Sequence, residues 1–505
     1  MKAGRIKNTS LNIIFSIVLQ LVVFVRGLIV PRIIIPTYGS DINGVFSSIS
    51  QFLAYISLLE AGIGSIFRAS LYKPLAENDM ETVSGVINAQ KRFYKRIGCI
   101  FIVYVAVLCF IYPYIAKTNA SRGFVITCIL ILCVNTLTEY FVSLPYVSLL
   151  SADQKIRISY IVSIVYTLVN ILVSLFWAAF KADIRLIYLS MCVIGLLRPL
   201  FYSIYIKKHY KLDKTIKPNE NALSQRWNGM VHHFAFYIHT NTDTAILTIL
   251  ISTAMVSVYN IYGAIVFGVE RIISSISTGI AASLGNLLVS NDKKRIDDTV
   301  NIYEFVQGSV ATILFTITSL MLIPFISLYT AKMTDINYIR PEFGYTLIAA
   351  ESMYCFRCIY STISMNANKF KETQLGAILE CVINILFSLF FVVVLKLGIL
   401  GVAIGTLVAM SVRYAFEVWF LSKNVIFRSV FSAMKMLVVS CSVAALSIVI
   451  CRSIIPYADT DTFIKWIIYA IITGIVTLSV SFAVYYIFFK KTMMMLFDRV
   501  IHKNK

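Results

Sequence analysis

The sequence predicts an all-α polytopic membrane protein with about fourteen transmembrane helices, and three observations lead to this fold class. The 505-residue chain is 58% apolar and only 14% charged, whereas a globular chain carries about a quarter charged residues. Apolar runs of about 20 residues or more recur along the whole sequence, each long enough to cross a bilayer of about 30 Å. Their length and helical period exclude a β-barrel, whose strands span about 10 residues with alternating polarity.

The chain is strongly basic, with a formal net charge of +20. Its Lys and Arg residues lie mainly in short loops between the apolar runs, which argues against a nucleic-acid partner and indicates membrane orientation instead. With the N-terminus in the cytoplasm, the cytoplasmic segments hold roughly three times as many Lys and Arg residues as the opposite side. We therefore predict a multi-pass protein with both termini in the cytoplasm.

Fourteen segments are predicted to span the membrane. The second and eighth are longer than a bilayer requires, so we expect them to tilt or to project beyond it. Residues 73–96 are predicted to form a cytoplasmic amphipathic helix, and residues 207–227 a linker. The predicted spans are 11–35, 42–70, 97–116, 123–149, 158–180, 185–206, 229–252, 255–288, 303–329, 343–366, 374–395, 398–422, 433–455 and 464–489.

An internal repeat organises these spans. Residues 170–176 read Asn-Ile-Leu-Val-Ser-Leu-Phe, and residues 384–390 read Asn-Ile-Leu-Phe-Ser-Leu-Phe. Further matches, 213 to 215 residues apart and in the same order, flank this pair, as expected for a repeat architecture. They include residues 69–71 with 282–284, Asn88 with Asn301, Lys181 with Lys396 and Arg198 with Arg413.

The repeat predicts the division of the chain. Six spans separate the two copies, and because this number is even, both copies have the same membrane orientation. Parallel repeats of this kind are a transporter architecture. We predict an N-terminal six-helix bundle at residues 1–217, a C-terminal six-helix bundle at 218–422, and two extra transmembrane helices with a cytoplasmic tail at 423–505. The repeated Asn-Ile-Leu motif is interpreted as packing rather than as a binding site.

Charged side chains within the spans are candidates for function, because an ionised group in a bilayer is costly and commonly faces a cavity. An arginine fork suits a phosphate, and a buried carboxylate can titrate and couple transport to protons. For deep residues we favour a water-filled cavity over a structural pair. Near the cytoplasmic ends we favour snorkelling or a local ion pair. The deep residues are Arg26, Glu60, Asp243, Arg271, Glu351 and Arg357; the terminal ones are Arg68, Arg198, Arg413 and Glu417.

The sequence carries no recognisable catalytic or metal site. It lacks the GxxxxGK[ST] phosphate-binding loop, and its outer loops are too short for a catalytic domain. Cys355 and Cys358 form a CxxC on a predicted membrane helix, where small apolar packing is the simpler interpretation. We therefore expect no enzyme, no cofactor and no metal, with H+ or Na+ as the candidate coupling ion.

Several short motifs occur together in an order typical of one transporter family. Tyr38-Gly39 and Gly44 lead into the second span, residues 60–64 read Glu-Ala-Gly-Ile-Gly, and residues 71–76 read Leu-Tyr-Lys-Pro-Leu-Ala. Residues 241–247 read Asn-Thr-Asp-Thr-Ala-Ile-Leu and are followed by Tyr259. With the repeated Asn-Ile-Leu motif, this pattern resembles the Wzx-type oligosaccharide flippases. They belong to the multidrug/oligosaccharidyl-lipid/polysaccharide exporter superfamily, which also holds MATE multidrug exporters and lipid II flippases.

The resemblance implies a V-shaped, alternating-access carrier in the bacterial plasma (inner) membrane. It would flip an undecaprenyl-diphosphate-linked oligosaccharide to the outer leaflet for a surface polysaccharide such as O-antigen. Its expected partners are this lipid-linked substrate, the bilayer, and the glycosyltransferases and polysaccharide polymerase of the same pathway. The implied diphosphate contacts are first Arg26, Arg32 and Arg271, then Arg68 and Arg357; the implied coupling or cavity carboxylates are Glu60, Asp243 and Glu351.

Three alternatives remain open at this point. A MATE-like exporter of cationic drugs would favour carboxylates without basic residues in the cavity, and the arginines of the first and eighth spans count against it. A membrane sugar polymerase is opposed by the repeat and by the short outer loops. A non-transporting scaffold is opposed only by the high free-energy cost of so many intramembrane charges.

Overall fold

The structure is a computed structural model that describes residues 2–60, 63–218, 237, 241–289, 293–367 and 369–501. Within these ranges the chain is helical and contains no strand. The first helices are α1 (Lys2–Tyr38), α2 (Ser40–Ala54), α3 (Ile63–Glu77), α4 (Met80–Ile115), α5 (Arg122–Thr138), α6 (Leu144–Ala152), α7 (Arg157–Ala179), α8 (Ile184–Gly195) and α9 (Leu197–His209). The others are α10 (Asn241–Ile251), α11 (Thr253–Val289), α12 (Lys293–Thr330), α13 (Pro341–Asn366), α14 (Phe370–Leu389), α15 (Ile399–Asn424), α16 (Phe431–Ile454) and α17 (Phe463–Ile501).

Twelve helices of the described residues are long and apolar enough to cross a membrane, judged by length and composition. The predicted tenth span corresponds to α13, which carries Glu351 and Arg357. The predicted seventh span, 229–252, lies partly outside the described residues, and its described part is Tyr237 and α10. The predicted all-α polytopic membrane fold is confirmed.

Irregular turns interrupt several of these helices. A 3-10 segment, Tyr55–Glu60, follows α2 within the predicted second span. Helix α5 passes into α6 through a π-turn at Glu139–Ser143. Further π-turns occur at Leu247–Ile251, which ends α10, and at Phe390–Val394, after α14. Such turns are frequent at functional sites because they redirect side chains and free backbone polar groups.

The predicted amphipathic helix at residues 73–96 is divided between α3 and α4. The break occurs at Asn78, whose φ is 56°, and Asp79 then caps α4 by accepting from the Thr82 backbone N–H at 3.0 Å. Hydrogen bonds from the hydroxyl and the backbone N–H of Thr82 lower the pKa of Asp79. Val83 and Val86 are buried, so this stretch packs into the protein as the start of a long helix.

The chain forms two compact units. Unit 1 comprises Met1–Tyr237 and Leu247–Ile261, and unit 2 comprises Ile238–Ile246 and Tyr262–Lys505. Helices α16 and α17 belong to unit 2, where they pack on α12. The three-part division at 1–217, 218–422 and 423–505 stays a prediction, because the two units are defined by compactness and not by the boundaries of the repeat.

Each unit contains an apolar cluster built from positions that the repeat relates. The cluster of unit 1 joins α3, α4, α6 and α9, and the cluster of unit 2 joins α11, α12, α13 and α15. The related pairs are Leu71 and Leu284, Val83 and Ile296, Ile87 and Val300, Tyr146 and Tyr360, and Ile206 and Leu421. Two matched lysines, Lys181 and Lys396, also share a positive φ, 48° and 55°. The sequence repeat is therefore also a repeat of helix packing.

A polar contact beyond the end of α15 involves positions that the repeat relates. At two of these positions the sign of the charge differs between the two units. In unit 2, Arg428 donates to Asn301 Oδ1 at 2.7 Å, to Glu304 Oε2 at 2.5 Å and to the Tyr360 hydroxyl at 2.9 Å. The related residues in unit 1 are Asp213, Asn88, Lys91 and Tyr146.

In unit 1, the residues that correspond to this contact bind the first part of the predicted linker. The Asn88 amide donates to the carbonyls of Asp213 and Ile216, each at 3.0 Å. Lys91 lies 4.7 Å from the ring centroid of Tyr146. The chain leaving α9 is therefore attached to α4 as far as Ile216, whereas residues 219–227 of the predicted linker lie outside the described residues.

Within unit 1, the first turns of α2 contact the start of α11. The Asn43 amide donates to Ser257 Oγ at 2.9 Å, and Ser257 donates to the carbonyl of Ser40 at 2.7 Å. A Cβ atom on Gly44 would lie 1.8 Å from the carbonyl oxygen of Thr253. Only glycine therefore permits this approach, since a backbone atom blocks any side chain.

We expect Gly44→Ala to destabilise this contact, because the added methyl meets backbone that cannot rotate away. Overpacking of this kind costs about 1–3 kcal/mol, and it should lower the thermal unfolding midpoint of the detergent-solubilised protein. Gly27→Ala is the matched control, since its Cβ would meet no atom within 4 Å. Equal midpoints for the two variants would contradict the close approach.

Candidate functional site

The structure distributes the predicted site residues over both units. The positions in unit 1 are Arg26 and Arg32 on α1, Glu60 at the end of the 3-10 segment, and Arg68 on α3. The positions in unit 2 are Asp243 on α10, Arg271 on α11, and Glu351 and Arg357 on α13. Each unit therefore carries its own set of these residues.

Arg26 is half-buried on α1 and lies close enough to Tyr188 for an electrostatic interaction. The ring of Tyr188 stacks on Phe46, with centroids 3.5 Å apart and planes at 9°. Within the described part of unit 1, the carboxylates that form ion pairs do so with other cations, and none pairs with Arg26. Its guanidinium thus retains donors for an anion. Arg32, two turns away, is exposed.

Glu60 and Arg68 meet in a polar cluster around Tyr94. The Glu60 carboxylate accepts from the hydroxyl of Tyr140, which lies in the π-turn of α5–α6. Both Glu60 and Arg68 act electrostatically on the Tyr94 hydroxyl. Next to them, Glu139 pairs with Arg198 at 3.1 Å.

Arg357 is engaged in a buried ion cluster of unit 2, here called the α13–α15 ion cluster. It lies 3.5 Å from Glu417 and 4.0 Å from Glu380, and it donates to Ser361 at 3.1 Å. Arg413 pairs with Glu417 at 2.7 Å and lies 3.8 Å from Glu380. Of the two accounts expected for Arg413 and Glu417, snorkelling or a local ion pair, the structure shows the ion pair. Two arginines and two glutamates neutralise one another, so Arg357 has a structural partner set.

Asp243 is buried against the second copy of the repeated motif. Its carboxylate oxygens lie 3.1 and 3.3 Å from the hydroxyl of Thr406 on α15. The Asn384 amide on α14 donates to the same hydroxyl at 3.0 Å, and the carbonyl of Val402 lies 3.2 Å from it. The Asn384 Oδ1 atom is buried without a hydrogen-bond partner among the described residues. The Asp243 carboxylate, the Asn384 amide nitrogen and the Val402 carbonyl thus all meet the Thr406 hydroxyl in one buried place.

Glycine permits this convergence. Gly405 precedes Thr406, and a Cβ atom on it would lie 2.2 Å from Ser388 Oγ and 2.6 Å from Ser388 N. The α14 and α15 backbones therefore approach closely at this level, which brings Asn384 to Thr406.

Glu351 connects Asp243 with the α13–α15 ion cluster. It is buried, and its electrostatic neighbours include Glu270, Asp243, Arg357 and Glu380. Unit 2 therefore gathers five carboxylates and three arginines in this region. The carboxylates belong to Asp243, Glu270, Glu351, Glu380 and Glu417, and the arginines are Arg271, Arg357 and Arg413. The carboxylates outnumber these arginines, and a bound cation can compensate the remaining negative charge.

Sequence reasoning missed the role of Asn384. The motif was interpreted as packing because it is repeated, yet its second copy contacts the hydroxyl that binds Asp243. The first copy differs: Asn170 is fully buried, and both amide atoms lack partners in the described part of the chain. The repeat partners of Asp243 and Thr406 are Val30 and Met191. The signal that could have identified this site is a difference between the two copies: Asp243 and Thr406 are polar, whereas their repeat partners Val30 and Met191 are apolar.

Comparison with known proteins identifies the fold. No family model and no curated protein matches the sequence. Among solved structures, "Lipid II flippase MurJ, inward closed conformation" aligns with 95% of this chain and 100% of that chain, with a TM-score of 0.69 and 15% identity. An inward-facing "multidrug resistance MATE family transporter of the MOP superfamily" aligns with 80% of this chain and 95% of that chain, with a TM-score of 0.66 and 14% identity. The chain thus has the MATE-like transporter fold.

We expect Glu417→Gln to destabilise unit 2, because it leaves Arg357 and Arg413 with one charged partner in a buried region. Breaking a buried pair costs about 3–5 kcal/mol, measurable as a lower thermal unfolding midpoint in detergent. Glu372→Gln is the matched control, since Glu372 pairs with Lys369 at 3.0 Å where both side chains are about 40% exposed. A midpoint unchanged in Glu417→Gln would show that the α13–α15 ion cluster is not a stabilising contact.

Proposed function

We propose that the protein flips an undecaprenyl-diphosphate-linked oligosaccharide from the cytoplasmic to the outer leaflet by ion-coupled alternating access. The observation that carries this proposal is the shared fold with a lipid II flippase over 95% of the chain. In this proposal the protein lies in a bacterial plasma membrane with both termini in the cytoplasm. The loop charge bias supports this placement of the termini. Glycosyltransferases and a polysaccharide polymerase are the partners that such a substrate requires.

Arg26 is the best candidate for the diphosphate. It lies half-buried on a membrane helix and forms no ion pair with the described carboxylates. A guanidinium in such a place can bind phosphate oxygens in a bidentate manner. Arg32 and Arg271 are exposed, and we retain them, with Arg68, as secondary contacts. Arg357 is the weakest candidate, because Glu417 and Glu380 already surround it.

The coupling ion is proposed to act at Asp243. Hard cations prefer oxygen ligands, and transporters hold Na+ or H+ with such groups within broken helices. Here the Asp243 carboxylate, the Thr406 hydroxyl and the Val402 carbonyl fit that requirement. The Asn384 side chain adds a buried Oδ1 that has no hydrogen-bond partner among the described residues. In this proposal the protein supplies the ligands and the neighbouring negative charge, and Asp243 holds either Na+ or a proton.

A second candidate function is a MATE-like exporter of organic cations. The excess of carboxylates over arginines in unit 2 favours it, because a cation would compensate that charge. The shared fold with a MATE transporter is equally compatible with this activity.

We expect Arg26→Ala to lower flipping at least about tenfold, the factor for one lost charge-assisted hydrogen bond of about 1.5–3 kcal/mol. The measurement is leaflet exchange of a fluorescent polyprenyl-diphosphate glycan in liposomes containing the protein. Arg185→Ala is the matched control, because that arginine is exposed and paired with Asp183 at 2.5 Å.

Two results would count against this proposal. Wild-type exchange by the Arg26 variant would make Arg26 structural. Absence of any protein-dependent exchange, with uptake of a cationic dye instead, would favour the exporter.

We expect Asp243→Asn to abolish the stimulation of transport by a Na+ or H+ gradient, because the neutral amide lacks the charge that holds a cation. The measurement is the ratio of transport rates with and without each gradient in liposomes. Asp461→Asn is the control, since Asp461 forms an exposed pair with Lys465 at 2.8 Å. Gradient stimulation retained by the Asp243 variant would place coupling elsewhere.

A further inference from the structure

One face of α4 in unit 1 differs from the repeat-related face of α12 in unit 2. The offset of 213 residues relates the two helices from their first turns onward, since Met80 begins α4 and Lys293 begins α12. In unit 2 the helices α16 and α17 cover this face of α12. There the ring of Phe305 lies 5.5 Å from that of Tyr485, and a Cβ atom on Gly308 would clash with a side chain of α16. In unit 1 the related face of α4 is exposed.

The exposed fractions of related side chains measure this difference. Val103 is 64% exposed and Val107 is 47% exposed, whereas their repeat partners Thr316 and Leu320 are 3% and 6% exposed. Phe110, further along the same helix, is 78% exposed. Because α4 is long and apolar enough to cross a membrane, its exposed face meets either lipid or another protein.

The residue types on the two faces favour lipid for α4. Helices that pack on one another in membranes approach through small residues. The covered face of α12 has such residues, whereas α4 has larger ones at the related positions, and these would keep a helix at a distance. The related pairs are Lys95 and Gly308, Arg96 and Ser309, and Val103 and Thr316.

The same face of α4 begins with a group of cations. Arg92, Lys95 and Arg96 are exposed, and neither Lys95 nor Arg96 forms an ion pair within the described part of the chain. The loop charge bias assigns this end of α4 to the cytoplasm. Both repeats have the same predicted orientation, so a general preference for cytoplasmic cations applies equally to α12. The related positions of α12 nevertheless hold no cation, because they are a phenylalanine, a glycine and a serine.

We propose that this face of α4, defined by Arg92, Lys95, Arg96, Val103 and Val107 and here called the α4 lipid face, binds an anionic glycerophospholipid of the cytoplasmic leaflet. Lys95 and Arg96 hold its phosphate, since a guanidinium binds phosphate oxygens in a bidentate manner and an ammonium adds a point charge. The acyl chains lie along Val103 and Val107. Lys95 and Val107 are about 18 Å apart along the helix, close to the depth of about 15 Å of one leaflet. This binding is separate from the transport proposed above.

The first test asks whether the α4 lipid face selects an anionic lipid. The protein is placed in liposomes with phosphatidylglycerol that carries a photoactivatable acyl chain, and the labelled residues are mapped by mass spectrometry. We expect label on residues 96–107, removed several-fold more effectively by unlabelled phosphatidylglycerol than by phosphatidylcholine. Equal competition by the two lipids would overturn the proposal. Label on α17, where Phe482 is 59% exposed, without label on α4 would also overturn it, in favour of cover by a second copy of the protein.

The second test asks whether the two cations hold the phosphate. Lys95→Gln combined with Arg96→Gln should lower the labelling of residues 96–107 at least about fivefold, since a single basic residue near an anionic surface contributes about 1 kcal/mol. Lys490→Gln combined with Lys491→Gln is the matched control, because it removes the same charge from two exposed residues of α17 and should leave the labelling of α4 unchanged. Equal thermal unfolding midpoints of the two variants in detergent would show that both remain folded. Wild-type labelling of α4 in the first variant would refute the phosphate contact.

A third measurement separates this lipid from the proposed transport substrate, which is also an anionic lipid. A polyprenyl-diphosphate glycan added to the same liposomes should remove the label from α4 less effectively than phosphatidylglycerol. More effective removal by the glycan would make the α4 lipid face a substrate contact and would overturn the proposal. Because the labelling requires no transport, it decides this question even if the wild type exchanges no glycan and the flippase proposal fails.

Discussion

The cost of unsatisfied charge in a bilayer is the constraint on which the rest of the structure depends. A membrane interior offers no water to an ionised side chain or to a free backbone group. The α13–α15 ion cluster meets this constraint with two arginines and two glutamates from three helices, at distances of 2.7 to 4.0 Å. Removing one member leaves the others uncompensated, so these charges also hold the three helices together.

The same constraint explains why the two repeats differ where they do. Their apolar clusters use related positions, such as Tyr146 and Tyr360, because packing requires only size and shape. Polar positions diverge. Unit 1 has Lys91 and Asp213 where unit 2 has Glu304 and Arg428. Arg428 pairs with Glu304 in unit 2, whereas in unit 1 the Asp213 carboxylate accepts from Thr215 and Lys91 lies over the ring of Tyr146. Each copy therefore satisfies its polar groups with different partners.

Function is expected where this balance is incomplete. Unit 2 has more carboxylates than arginines around Glu351, and Asn384 keeps a buried oxygen without a partner among the described residues. Unit 1 has the half-buried Arg26, which forms no ion pair with the described carboxylates. A folded protein retains such groups at a cost in stability, and a transported anion, a bound cation or water can compensate them. The shared transporter fold agrees with this interpretation.

The sequence by itself determined the all-α membrane fold, most helix positions and the repeat, because run length, charge scarcity and spacing are local properties. It also gave a local ion pair as one of two accounts for Arg413 and Glu417, since residues four apart on a helix are neighbours, and the structure shows this pair. Only the tertiary structure decided which deep charges are compensated. Arg357 meets Glu417 and Glu380 from two other helices, Asp243 meets Thr406 across 163 positions of sequence, and Arg26 meets no described carboxylate. These outcomes depend on long-range packing, which no local pattern encodes.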